Sequence, residues 1–241
     1  MATDPIATTI GVLRPRRRLI LAASSALFLL SPRVHADLLS SLSSSDATAG
    51  IRAALERGAQ AAVDLLGKTD GFWGNERVRI PLPDWLVKAE GLFRMLGRKQ
   101  ELDDLHLSIN RAAEVAVPEA RALLVGAVKS MTVQDAKGIL TGGDNSATQY
   151  FERKTRDPLA ERFLPIVTKV TRKSGLARQY DEVAQKAQSL GLVRGEVSIE
   201  HHVTNKALDG LFLMIGEEEK KIRANPAATG SAILQKVFGA L

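Results

Sequence analysis

Two groups of residues have the types and spacing to do chemistry: Gly142-Gly143-Asp144-Asn145-Ser146, and a polar stripe of Asn205, Asp209 and Gly216. In the first, two glycines precede what the periodicity marks as a helix start. Free backbone N–H groups at the positive end of a helix hold anions, and glycine lets a ligand approach the main chain. The segment lacks the Lys-Ser/Thr of a phosphate-binding loop and no strand precedes it. The same residues also make a ligand-free junction, with Gly142 closing one helix and Asp144 capping the next. In the second group, a hundred degrees per residue sets Asn205, Asp209 and Gly216 along one face of a helix that is otherwise apolar around most of its circumference. A carboxylate there needs a partner, because an unpaired buried charge is costly or shifts its pKa. Asp209 therefore reads as a structural hydrogen-bond hub, a solvent-facing groove residue or a ligand contact. Trp73, in a glycine-flanked turn, is a further candidate contact.

Other chemistries find little support. Glu114, Asp135, Asp144, Asp209 and the run Glu217-Glu218-Glu219 are acidic, but nothing in their spacing requires a metal. There is no EF-hand loop and no HExxH, and the adjacent His201 and His202 point to different sides of a helix. Glu217 to Lys221 reads as a solvated face with short-range Glu–Lys pairs. The candidate imidazole bases are His106, His201 and His202, no nucleophile-elbow sequence is present, and His106 sits at the edge of an apolar face. No catalytic residue, metal ligand or cofactor is assigned. Hydrolysis by carboxylates alone stays open as an alternative, without a pair to name.

The elements that must position these groups begin after a leader. Arg14-Pro15-Arg16-Arg17-Arg18, an apolar stretch from Leu19 to Leu30 and Val34-His35-Ala36 have the order of a secretory signal peptide cut before Asp37. This predicts a periplasmic protein, soluble after cleavage. The leader holds five arginines against Asp4, so it carries +4 of the formal +6, leaving +2 on residues 37–241. That balance gives no warrant for nucleic-acid binding. With no cysteine, disulfides, thiolate chemistry and a lipidated N-terminal cysteine are excluded. Low aromatic content and abundant alanine and leucine favour helices packed on helices.

Helical period recurs nearly throughout. It predicts helices over Ile51 to Leu66, from Asp84 to Gly97, over Leu102 to Ala116, after Pro118, and from a Thr132–Asp135 capping box to Leu140. Further helices are expected from Asp144 or Ser146, from Pro158 to Gly175, over Leu176 to Leu190 and from Ile199 to Ala224. Asn225-Pro226 stops the last of these, and Ile233, Val237 and Phe238 form a short docking helix. The expectation is an all-α fold, a single compact multi-helix bundle of about 8–9 helices over residues 37–241. One segment, Gly67 to Pro83, has no helical period. Val78, Ile80 and Leu82 alternate, and Pro81 and Pro83 confine it to an edge or a surface strap. Such a strap either seals an open end of the bundle or binds something.

Five blocks together resemble a known family: KTDGFWGN at 68–75, VRIPLP at 78–83, NRAAEVAVPEA at 110–120, MTVQDAKGILTGGDNSATQYF at 131–151 and NKALDGLFLMIGEEEKKIRANP at 205–226. The chain resembles the bacterial domain of unknown function 4197. The resemblance implies exported, largely helical proteins of Gram-negative bacteria and carries no activity, cofactor or catalytic residue. Some relatives look like lipoproteins, for which this chain lacks the cysteine. The reading is a binding or interaction module for an unknown small ligand or periplasmic protein. Its contacts are Gly142, Gly143, Asp144, Asn205, Asp209 and Trp73, in a groove where the 141–146 loop, the strap and the long helix meet. A purely structural or oligomerising role is the remaining alternative.

Overall fold

A computed structural model describes residues 44–95, 97–173, 175, 180–181, 184–185, 188–189, 198–232, 235 and 237. The expected leader at 1–36 and most of the expected helix at 176–190 lie outside them. The described residues form seven α-helices and no strand: α1 (Ser44–Leu66), α2 (Asp84–Met95), α3 (Lys99–Ala116), α4 (Ala120–Lys129), α5 (Val133–Thr141), α6 (Ser146–Lys173) and α7 (Ile199–Ala224). Two 3-10 turns, Val117–Glu119 and Pro226–Thr229, join α3 to α4 and follow α7. None of the described helices is long and apolar enough to cross a membrane.

Helix α7 packs against both α6 and α1, α3 packs on α6, and α1 also covers α4 and α5. The packing follows the periodicity. Ile51, Leu55, Ala59, Ala62, Val63 and Leu66 of α1 are buried, as are Val203, Ala207, Leu208, Leu211 and Ile215 of α7. Each of the valine, leucine and isoleucine side chains contributes about 1.5–3 kcal/mol of transfer free energy, and the alanines less. Val237 is fully buried, and a Cβ on Gly50 of α1 would lie 2.5 Å from its Cγ2. Val237 therefore packs on α1 at a place where only glycine leaves room, while Ile233 and Phe238 of the expected docking helix lie outside the described residues.

Two expectations are corrected. The all-α class holds, but the count of 8–9 helices is not matched among the described residues, and Pro158 does not open a helix. It lies inside α6, as does Pro165. Each proline removes one donor and frees the carbonyl four residues earlier, on the exposed Lys154 and Glu161. Water can satisfy those carbonyls, while Phe151, Thr155, Leu159, Phe163, Val167 and Thr171 run buried at four-residue intervals straight through both prolines.

The strap is a set of turns over 67–78 followed by non-helical backbone to Pro83. It seals rather than opens the bundle, because α3 supplies a partner for nearly each polar group it turns inward. Glu114 Oε1 accepts from the N–H groups of Phe72 and Trp73, both at 3.1 Å. Arg111 holds the other Glu114 oxygen at 2.7 Å and reaches Asp70 at 2.8 Å, steadying the one described non-glycine residue with positive φ (64°). Asn110 mimics a backbone pair with Ile80: its Oδ1 accepts from Ile80 N at 2.8 Å and its Nδ2 donates to Ile80 O at 3.0 Å. His106 Nε2 meets the same carbonyl at 3.0 Å, and His202 Nε2 of α7 meets Pro81 O at 2.9 Å. Burial pushes both imidazoles below their ordinary range, against the smaller pull of those carbonyls.

Candidate functional site

The junction between α5 and α6 is built from two residues seventy positions further along. Glu219, buried on α7, accepts from Ala147 N at 3.0 Å, Thr148 N at 2.9 Å and Thr148 Oγ1 at 2.8 Å. It thereby takes the free N–H groups at the start of α6. Arg223 pairs with Glu219 at 2.8 Å and donates to Ser146 Oγ at 2.8 Å and to Ile139 O, a carbonyl in the last turn of α5, at 3.0 Å. Ser146 Oγ donates to Ile139 O as well, at 2.7 Å. At the other end of α5, Thr132 and Asp135 form the expected capping box, and its hydrogen bonds hold Asp135 below the usual carboxylate range.

This corrects two readings. Asp144 does not cap α6, and the helix end does not await an outside anion, because an internal carboxylate fills that place. The run from Glu217 to Lys221 is not a uniformly solvated face: Glu218 pairs with Lys221 at 2.7 Å and Glu217 with Arg77 at 2.9 Å, but Glu219 points inward. The acidic residues are dispersed, and among the described residues no three His, Cys, Asp or Glu side chains group as metal ligands would.

With its backbone fixed from inside, the junction turns a polar surface outward. A groove of about 480 Å³ lies between α5 and α6, lined among others by Gln134, Gly138, Gly143, Asp144, Asn145, Gln149 and Arg153. Among the described residues, no side-chain hydrogen bond or ion pair engages Gln134, Asp144, Asn145, Gln149 or Arg153. Gly142 is structural: a Cβ there would lie 2.5 Å from that of Ser146. Gly138 and Gly143 are not, since a Cβ on either meets open space and neither has a positive φ. Gly138 sits inside a helix, where glycine costs about 0.5–1 kcal/mol relative to alanine.

A second groove of about 400 Å³ adjoins the first across Asn145 and Gln149 and runs between α6 and α7. Its charges are mutually engaged. Arg156 bonds Asp209 at 2.6 Å and Glu152 at 2.8 Å, with its guanidinium 6.0 Å from the Phe212 ring. Lys206 adds a 3.6 Å contact to Asp209, whose side chain is 48% exposed. Asp209 is thus a half-exposed ion-pair partner at the groove wall. Two carboxylates sharing one guanidinium form an ion-pair network, not an acid and a base facing a substrate bond.

Of the residues picked from sequence, Gly142, Gly143 and Asp144 line the first groove and Asp209 the second. Asn205 is exposed one turn from Asp209 and lines neither. Trp73 lies elsewhere, half-buried on the strap, edge-on to His106 at 5.0 Å and beneath Arg79 at 5.2 Å. The strap reaches the second groove only through Arg77 and its bond to Glu217. Sequence reasoning missed Gln134, Gln149 and Arg153 as lining residues. Their signal was position: Asn145, Gln149 and Arg153 recur every four residues on one face of α6.

No curated protein and no solved structure matches this chain. The family model described as protein of unknown function, DUF4197, matches residues 41–239, and the chain belongs to that family.

Proposed function

We propose that this chain is an exported periplasmic binding module, one helical domain from residue 37 onward, that takes a polar ligand in the α5–α6 groove. The observation that carries the reading is the set of five polar side chains, Gln134, Asp144, Asn145, Gln149 and Arg153, that line one concavity without a side-chain hydrogen bond or salt bridge among the described residues, Arg153 lying near the capped Asp135. Its volume is within the range of small-ligand sites. The backbone behind it is fixed by Glu219 and Arg223, so binding has only side chains to order, at about 0.5–1.5 kcal/mol each.

A thermal-shift screen of the full chain against envelope sugars, amino acids, peptides, nucleotides and lipids tests it, since a ligand that binds only the folded form raises the midpoint by mass action. The expected result is a saturable rise that Asp144→Ala or Gln149→Ala abolishes without lowering the ligand-free midpoint. A flat response across the panel counts against a ligand site. Export is tested separately by fusing residues 1–36 to a reporter enzyme that is active only outside the cytoplasm.

A further inference from the structure

The α5–α6 groove has a length, a charge order and a wall texture that together define a ligand class. Asn145, Gln149 and Arg153 follow one another at four-residue spacing on α6, which spans about 12 Å at 1.5 Å per residue. Asp144 stands at one end of that row and Arg153 at the other, where Arg153 also lies within electrostatic reach of Asp135, a groove carboxylate already engaged by Thr132 in the cap of α5; between the two ends lie three amide side chains, Gln134 from α5 and Asn145 and Gln149 from α6. An amide side chain offers donors and an acceptor side by side, which matches the paired N–H and C=O of an extended main chain.

The walls say the same. Gly138 and Gly143 are two of the four described glycines, with Gly91 and Gly126, whose added Cβ would meet nothing within 4 Å and whose φ is not positive. Both line this groove. Their lack of side chains serves whatever lies against them, letting a chain come within van der Waals distance of the main chain. A sugar that stacks its face on an aromatic ring finds no exposed one among the described lining residues. The aromatic residue lining the groove, Tyr150, is 2% exposed with its hydroxyl donated to Ala127 O at 3.0 Å.

Building on the binding role above, we propose that this groove holds a short extended peptide of about four residues, its ammonium end at Asp144 and its carboxylate end at Arg153. Calorimetric titration of the full chain with an equimolar library of free-ended tetrapeptides should give saturable binding. Acetylating and amidating the ends should weaken it at least tenfold. Gly138→Leu, which fills open space on a helix, should leave the melting midpoint unchanged or raised and weaken peptide binding at least tenfold. Equal binding of free and capped peptides overturns the charge-bracketed placement, and unchanged affinity in Gly138→Leu overturns the site. If an N-acetylated tetrasaccharide binds in a Gly138-dependent way and the peptides do not, the peptide assignment falls while the groove remains a binding site. If neither probe binds, both readings fall.

Discussion

The strap and the start of α6 meet the same physical problem, backbone N–H groups with no acceptor in their own element, and both meet it with a glutamate from a distant helix. Glu114 takes Phe72 and Trp73, and Glu219 takes Ala147 and Thr148. Each carboxylate is gripped by an arginine on its own helix, Arg111 three residues earlier and Arg223 four later. The two regions differ in what lies outside. Over the strap the surface is closed: Phe72 is fully buried, and a Cβ on Gly210 of α7 would lie 2.8 Å from its ring. Over the α6 start the surface is a groove lined by polar side chains without a side-chain hydrogen bond or salt bridge among the described residues. A buried carboxylate can thus seal one place and, in the other, relieve the loop of its own hydrogen bonding and leave its outward side chains free.

The largest loss is expected from Glu219→Ala. The variant strands Arg223, whose side chain is 12% exposed, together with two buried N–H groups. Removing one member of a buried pair costs about 3–5 kcal/mol, and urea denaturation of the two proteins measures it. Glu114→Ala should lose a similar amount, though Arg111 keeps Asp70 and more solvent. A loss below about 1 kcal/mol at either position would mean that the carboxylate behaves as a surface one.

A step smaller is Asn110→Ala, which leaves the Ile80 N–H without its partner, at about 1–3 kcal/mol for a buried group left unsatisfied, while the Ile80 carbonyl keeps His106. Because these bonds belong to the strap, amide exchange at Ile80 should accelerate more than exchange within α6. Uniform acceleration would show that strap and bundle open as one unit.

The strap also carries the pH response. Burial keeps His106 and His202 below the ordinary imidazole value of 6.5, so each binds its proton at lower pH folded than unfolded. Between those values the unfolded chain holds more protons, and stability rises with pH there. The contribution is complete above about pH 6.5, falls as pH drops toward the folded values and levels off below them. Melting midpoints between pH 8 and 5 should decline less in the double variant His106→Gln, His202→Gln than in the parent. Parallel curves would remove the imidazoles from the strap's energetics.

How much of this was legible in the sequence follows from which interactions are local. The Thr132–Asp135 capping box, the C-terminal ends of α1 and α3, both ends of α7, and the absence of helix over the strap depend on residues a few positions apart. Glu219 caps a helix seventy residues away, which no local rule reports. A signal existed nonetheless, because Leu208, Phe212, Ile215, Glu219 and Ile222 continue one buried stripe and Glu114 follows Asn110 by one turn. A charged residue on an apolar stripe needs a distant partner. The continuity of α6 was hidden for the opposite reason: the local rule for proline was obeyed where the four-residue stripe overrode it.

The smallest effect is expected at Asp209, where the comparison is sharpened most. Its bond to Arg156 is short at 2.6 Å, but the two side chains are 48% and 31% exposed. Solvent screening and the entropy of fixing two side chains hold such pairs to about 0–1 kcal/mol. A double-mutant cycle of Asp209→Ala and Arg156→Ala should therefore return a coupling below about 1 kcal/mol, shrinking with added salt. A coupling several times larger would make Asp209 the structural hub that its apolar helix first suggested. The α6–α7 groove would then be a load shared by the fold, in the manner of Glu114 and Glu219. A small coupling instead leaves the guanidinium able to exchange Asp209 for an incoming carboxylate, so that both grooves, joined at Asn145 and Gln149, present exchangeable polar groups over a backbone already satisfied from within.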